Sequence, residues 1–168
     1  MNLIFDLDLT LIDSKIAEPY RRGSTWQKAY SLIPSFTEYK GMKAVFDYIH
    51  DRGFPYCIVT SSPSTYCNKV CSQWGFNPKY MVCFHDTKLK KPHPEPINLA
   101  LSKLKAEPDQ AISFGDKDSD IIASNAANVP SVACLWGAED RVTLLSANPT
   151  YIVNNPIEIV AILKNLNT

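Results

Sequence analysis

No excess of either charge marks this chain. Lys plus Arg number 17 and Asp plus Glu number 17, so net charge gives no general attraction to nucleic acid or to an anionic membrane. Long apolar runs are also missing: the longest, 56–59 and 131–136, fall far short of the roughly 20 residues a bilayer-crossing helix needs. A spanning helix is excluded on that ground. The first residues, Met1-Asn2-Leu3-Ile4-Phe5-Asp6, have no basic start and meet a carboxylate before a signal-peptide core can form, and a cytoplasmic protein is expected. The five cysteines, Cys57, Cys67, Cys71, Cys83 and Cys134, are odd in number and contain no Cys-x-x-Cys pair. Neither a zinc nor a redox motif is expected, and reduced, mostly buried thiols are. Cys67 and Cys71 share a helical face but have no His beside them. His50 and His85 lack a partner pattern, and His93, inside a Pro-rich run, reads as a surface or capping residue. No repeat or low-complexity stretch is apparent.

What is present is an alternation of short apolar runs with amphipathic stretches. Strands are expected at 2–7, 56–60, 80–84, 111–114 and 129–135, with a weaker sixth near 151–153. Helices are expected at 39–52, 64–74, 95–105, 118–127, 139–147 and 156–166, with stops near Gly53, Gly75 and Asn128. Strands joined by helical crossovers give a three-layer α/β/α, Rossmann-like fold with a mostly parallel sheet, here as one domain over residues 1–168. The stretch 13–38 departs from the alternation. It contains Arg21, Arg22, Gly23, Trp26 and Pro34, and reads as a solvated loop with a short helix around 25–32.

Ligands of open α/β sheets sit outside the carboxyl ends of the strands, near the point where strand order reverses. The polar residues of this chain collect there. Asp6 and Asp8 end the first expected strand, Thr60 and Ser61 the second, and Asp116 and Asp120 the fourth; the loop after the third carries Lys90 and Lys91. A carboxylate held in line with phosphorus becomes an effective nucleophile and divides one hard step into two. Asp6 is the candidate. Asp8, two residues on, is the candidate for proton transfer. Protonating a leaving oxygen requires a carboxyl value above the ordinary ~3.9, through burial or neighbouring negative charge. Asp6, Asp8, Asp116 and Asp120 in one pocket would repel each other and a phosphate, and a hard divalent cation such as Mg²⁺ resolves that repulsion. Lys91 and the Thr60 hydroxyl would offset phosphate charge.

Four segments in order resemble the haloacid dehalogenase superfamily: Ile4-Phe5-Asp6-Leu7-Asp8-Leu9-Thr10-Leu11, Cys57-Ile58-Val59-Thr60, Lys91-Pro92-His93-Pro94-Glu95-Pro96, and Gly115-Asp116-Lys117-Asp118-Ser119-Asp120. The resemblance implies a HAD-like Mg²⁺-dependent phosphatase acting through an aspartyl phosphate on Asp6, with Asp8 as general acid and base. It implies metal ligation by Asp6, the Asp8 carbonyl and Asp116, with Asp120 steadying the metal's waters. Backbone donors from Leu7, Asp8 and Ser61 would join Thr60 and Lys91 around the phosphate, and Thr10 would fix the nucleophile turn. Leu9 stands where relatives commonly have Gly, and Ser61 where they often have Asn; both departures are expected to touch substrate fit. Asp6 and Thr60 are 54 positions apart, leaving only the short cap-like insertion 13–38. A minimally capped, open site is therefore expected, suited to a bulky or macromolecular phosphate ester, or closed by oligomerisation. The alternatives are a phosphotransferase or phosphomutase using the same intermediate, and a non-catalytic phosphoacceptor or binding module.

Overall fold

A computed structural model describes residues 1–166 of the chain. Six strands, β1 (Asn2–Phe5), β2 (Tyr56–Val59), β3 (Tyr80–Val82), β4 (Ala111–Gly115), β5 (Ser131–Cys134) and β6 (Tyr151–Val153), form one sheet in the order β3-β2-β1-β4-β5-β6. Every pairing is parallel. The helices are α1 (Trp26–Leu32), α2 (Met42–Asp51), α3 (Ser64–Trp74), α4 (Glu95–Leu104), α5 (Asp118–Ala126), α6 (Arg141–Ser146) and α7 (Glu158–Asn165). This is the expected three-layer arrangement, and the expected weak strand near 151–153 is its edge. None of the helices is long and apolar enough to cross a membrane.

Successive strand side chains point to opposite faces, so each buried strand feeds two cores. Leu3, Phe5, Ile58, Ile112 and Phe114 pack on one face, where α2, α3 and α7 supply Val45, Ile49, Tyr66, Val70, Ile159 and Leu163. Ile4, Cys57, Val59 and Ala111 face the other side, covered by Ile97, Ala100 and Leu101 of α4 and Ala123 of α5. There α6 adds Leu144 against Ile121. At the centre the rings of Phe5 and Phe114 stack with centroids 4.6 Å apart and planes 17° apart. All five cysteines are buried free thiols.

Element ends differ from the sequence reading for backbone reasons. Gly41 has φ 91, a left-handed value no α-helix contains, so α2 begins at Met42 rather than at 39. Lys105, at φ 55, stops α4 one residue early. Asp140 accepts the N–H of Thr143 and so sets the start of α6. Gly75, left-handed at φ 74, ends α3 where expected.

Residues 13–38 are not the solvated loop expected from composition. Asp13 and Thr37 exchange backbone hydrogen bonds of 2.9 and 3.2 Å, so the excursion begins and ends at one point. Between them lie α1 and three 3-10 turns, Lys15–Tyr20, Gly23–Thr25 and Ile33–Ser35. Ala17, Ala29, Ile33 and Phe36 enter the first core. Trp26 meets the ring of Tyr66 edge-on at 5.4 Å, and Trp74 Nε1 donates to the Ile33 carbonyl at 3.2 Å. The segment is thereby fastened to α3.

Phe114→Ala should cost roughly 3–5 kcal/mol, because it opens a cavity under Phe5 in the middle of the sheet. Urea unfolding followed by circular dichroism should show the midpoint falling with little change in slope. A loss below ~1 kcal/mol would contradict the central position given to this stack.

Candidate active site

Because β1 is paired on both sides, by β2 and β4, the chain leaving Phe5 emerges at the point where strand order reverses. A cavity of about 270 Å³ opens there, with Asp6, Asp8, Arg21, Trp26, Thr60 and Lys91 in its wall. Every sequence-derived site residue lies at this end of the sheet. Asp6 follows β1, Thr60 and Ser61 follow β2, and Asp116 follows β4; Asp120 stands on the first turn of α5.

Lys91 links two of the acids. Its ammonium is 2.7 Å from Asp6 Oδ1 and 2.6 Å from Asp120 Oδ1, and it also donates to the Val59 carbonyl at 3.0 Å. Burial alone would lower the Lys91 value, but Asp120 and Asp6 outweigh it and hold the ammonium above the ordinary lysine range. Lys90 points elsewhere, donating to the carbonyls of Phe84 and Thr87. Thr60 Oγ1 accepts the Ser62 N–H at 3.1 Å, which leaves its own proton free to donate. The N–H groups of Leu7, Asp8 and Ser61 have no acceptor among the described residues.

Burial, reinforced by Asp120 and Asp8 and opposed by Lys91, pushes the Asp6 carboxyl up to about 6. Asp116 is raised well above the usual carboxyl value by burial, then by Asp6 and Asp120, although the Thr10 hydroxyl donates to its Oδ1 at 2.7 Å. Its other oxygen, Oδ2, is buried with no partner. Asp6, Asp116 and Asp120 each bring an oxygen within 4.8 Å of the others, the one such group of potential metal ligands among the described residues. An orphaned buried carboxylate oxygen in an all-oxygen, like-charged cluster fits a hard divalent cation. Asp120 is the most committed of the three. Its Oδ2 accepts the Lys117 N–H at 3.0 Å, and the bare Gly115 makes the approach possible, since a Cβ there would lie 2.3 Å from Asp120 Cβ.

Asp8 has neighbours the sequence reading did not find. That reading looked for burial or neighbouring negative charge around Asp8; the side chain is buried, and its direct contacts are donors. Ser14 and Tyr66 donate to Oδ1 at 2.7 and 2.8 Å, Ser62 to Oδ2 at 3.0 Å, and an Arg21 nitrogen stands 2.5 Å from Oδ2. Arg21 is not solvated: its side chain is 12% exposed, and Asp8 holds its charge against the effect of burial. Arg22, one residue on, is exposed as expected. Position after the nucleophile turn singled out Arg21; nothing local in the sequence marked Ser14, Ser62 or Tyr66.

The nucleophile turn is tight. Leu9 adopts φ 67, the left-handed conformation that explains why glycine suits this position, and its side chain is nonetheless buried. Its carbonyl abuts Gly137, where a Cβ would come within 1.8 Å of the oxygen. Trp136 Nε1 donates to the Thr10 carbonyl at 3.0 Å, so the loop after β5 braces the turn from behind. His93, as expected, caps α4 by accepting the Glu95 N–H.

Comparison with known proteins identifies the family. Residues 21–134 match the family model for haloacid dehalogenase-like hydrolases. The pyrophosphatase PpaX of Bacillus pumilus is 30% identical over 129 residues, covering 76% of this chain and 60% of the relative. A phosphoglycolate phosphatase of Haemophilus influenzae is 25% identical over 127 residues, 74% of this chain and 57% of the relative. The chain thus spans less than two thirds of these curated relatives. Among solved structures, a hydrolase from Pseudomonas syringae superposes with a TM-score of 0.84 at 18% identity, over 98% of each chain. A haloacid dehalogenase-like family hydrolase from Streptococcus pneumoniae gives 0.81 at 19%, over 96% of this chain and 97% of that one. At such identities these two speak for the fold alone. With the family model covering most of its length, the chain belongs to the haloacid dehalogenase-like hydrolases.

Proposed function

We propose that the chain is a Mg²⁺-dependent phosphatase that hydrolyses a phosphate monoester through an aspartyl phosphate on Asp6. The observation that carries this reading is the pairing of Lys91 with Asp6 beside the partnerless Oδ2 of Asp116. The lysine steadies one Asp6 oxygen and aims the carboxylate into the cavity. Asp6, the Asp8 carbonyl and Asp116 would hold the cation, while Asp120 keeps Lys91 in place and completes the acidic cluster. Bound there, Mg²⁺ would offset carboxylate repulsion and polarise a phosphoryl oxygen.

The residues of the chain then have separate tasks. The Thr60 hydroxyl and the free N–H groups of Leu7, Asp8 and Ser61 grip the phosphoryl oxygens, while Lys91, held between Asp6 and Asp120, offsets their charge. An Asp6 oxygen attacks phosphorus as the bond to the leaving oxygen breaks, and Asp8, which must enter this step protonated, gives its proton to that oxygen. Asp8 then takes a proton from water as the water attacks the acyl phosphate, which releases inorganic phosphate and restores Asp6. Relatives named pyrophosphatase and phosphoglycolate phosphatase support phosphate chemistry on this framework. The cavity of about 270 Å³, just below the roughly 300–1,000 Å³ common for ligand sites, is open and admits either a compact phosphorylated substrate or the phosphorylated end of a larger one.

Aryl phosphate hydrolysis with 5–10 mM MgCl₂ should be readily measurable (concentrations on the order usual for weak Mg²⁺ sites). It should fall to background on chelation, and by roughly 10³-fold or more in Asp6→Asn. An Asp6→Asn protein as active as wild type would remove Asp6 as nucleophile. Inactivity of wild type across small phosphate esters would remove the phosphatase reading.

Proton linkage gives a second expectation. In the metal-free protein the Asp6 carboxyl is raised from 3.8 to about 6, so the folded state binds its proton more tightly than the unfolded chain. The contribution of Asp6 to stability is present below the unfolded value and lost as pH rises through about 6. A cation requires the deprotonated form and should displace that proton. The rise in Tm caused by Mg²⁺ should therefore be larger at pH 7.5 than at pH 5 by scanning calorimetry (both set about the Asp6 value). Equal shifts at the two pH values would rule out this coupling.

A further inference from the structure

Arg21 is tied to Asp8, and Asp8 is the group assigned to the leaving oxygen. Whatever touches Asp8 Oδ2 from the cavity side therefore borders the leaving group rather than the phosphoryl oxygens, which Lys91 and Thr60 address. Arg21 comes from the 3-10 turn Lys15–Tyr20, whose end it caps, and lies in the cavity wall with Trp26, Glu18 and Lys117. Its fork is only partly used. One terminal nitrogen pairs with Asp8 at 2.5 Å and the other is 3.9 Å from Glu18. Nε is buried with no partner. A buried guanidinium with an unmet donor is costly unless a further acceptor arrives, and guanidinium geometry suits a carboxylate or phosphate bound through two N–H groups.

The surrounding charges allow such a group. Glu18 would repel an incoming anion, but Lys117 stands 3.6 Å from its Oε1 and Arg21 3.9 Å, so its charge is already shared. Lys117 is half exposed at the mouth. Across the cavity Lys91 is spent on Asp6 and Asp120. Arg21 is therefore the buried cation of the wall with donor capacity to spare.

We propose that Arg21 is the specificity-determining residue of this site, selecting substrates whose leaving group carries a second oxyanion, carboxylate or phosphate, a few bonds from the scissile oxygen. This rests on the phosphatase reading, and on Asp8 facing the leaving group. The second oxyanion meets the terminal nitrogen of Arg21 that Asp8 leaves unused, while the Trp26 ring lies along the carbon skeleton between the two charges.

The test compares kcat/KM for a short alkyl phosphate, its ω-carboxylate analogue of equal chain length, and inorganic diphosphate, in wild type, Arg21→Lys and Arg21→Ala, each with Mg²⁺. Wild type should prefer at least one substrate with a second oxyanion in its leaving group over the simple alkyl phosphate by about tenfold or more, a difference of ~1.4 kcal/mol. Arg21→Ala should erase most of that preference, mainly through KM, and Arg21→Lys should keep part of it. Whichever of the two anionic substrates loses more identifies the oxyanion. Loss of the Asp8 contact scales all three substrates alike, so the ratio isolates selection from positioning. If wild type turns over the simple alkyl phosphate as well as the substrates with a second oxyanion, or if Arg21→Ala lowers every substrate by one common factor, Arg21 does not select. If wild type hydrolyses none of them, the phosphatase reading fails first and the inference falls with it.

Discussion

The ammonium of Lys91, between Asp6 and Asp120 at 2.7 and 2.6 Å, is the interaction on which the site depends. Five carboxylates (Asp6, Asp8, Glu18, Asp116 and Asp120) gather around one cavity against three cations (Arg21, Lys91 and Lys117). Like charges at such separations are tolerated only when each has a partner, a proton or a metal. Asp8 has its donors, Glu18 has Lys117, and Asp6 and Asp120 share the lysine. Asp116 is left with Thr10 on one oxygen and nothing on the other. With all five ionised the formal excess is two negative charges, which a divalent cation or protons on the buried acids would offset.

The fold exists to hold that imbalance still. Parallel strands buried on both faces place β1 and β4 side by side, so Asp6 and Asp116 leave neighbouring strand ends at matched register, Phe5 against Phe114. The two rings stacked beneath them keep the strand ends from sliding. Asp120 follows from the first turn of α5, which the bare Gly115 lets close onto the sheet.

The sequence disclosed the acids, the lysine and the threonine of this site and concealed most of the donors around Asp8. Asp6, Thr60 and Asp116 were readable because each lies directly beyond an apolar run, where position along the chain implies position in space, and Lys91 and Asp120 because they complete segments in the expected order. Ser14, Arg21, Ser62 and Tyr66 reach Asp8 from two separate parts of the chain, and only tertiary packing brings them together. The 13–38 segment misled for a related reason. Its polar composition resembles a solvated loop, but the Asp13–Thr37 bridge and Ala17, Ala29, Ile33 and Phe36 turn it into a docked element. Leu9 was visible as a departure from glycine, yet its meaning came only with its φ.

The contact between the Leu9 carbonyl and Gly137 joins two loops that are 128 positions apart in sequence. No side chain can be accommodated at 137 while the turn keeps its path, and the turn cannot drift while Trp136 holds Thr10. The nucleophile loop and the loop after β5 therefore form a single mechanical unit: a side chain introduced at 137 would push against the carbonyl of residue 9 and bend the path of the chain leaving Asp6.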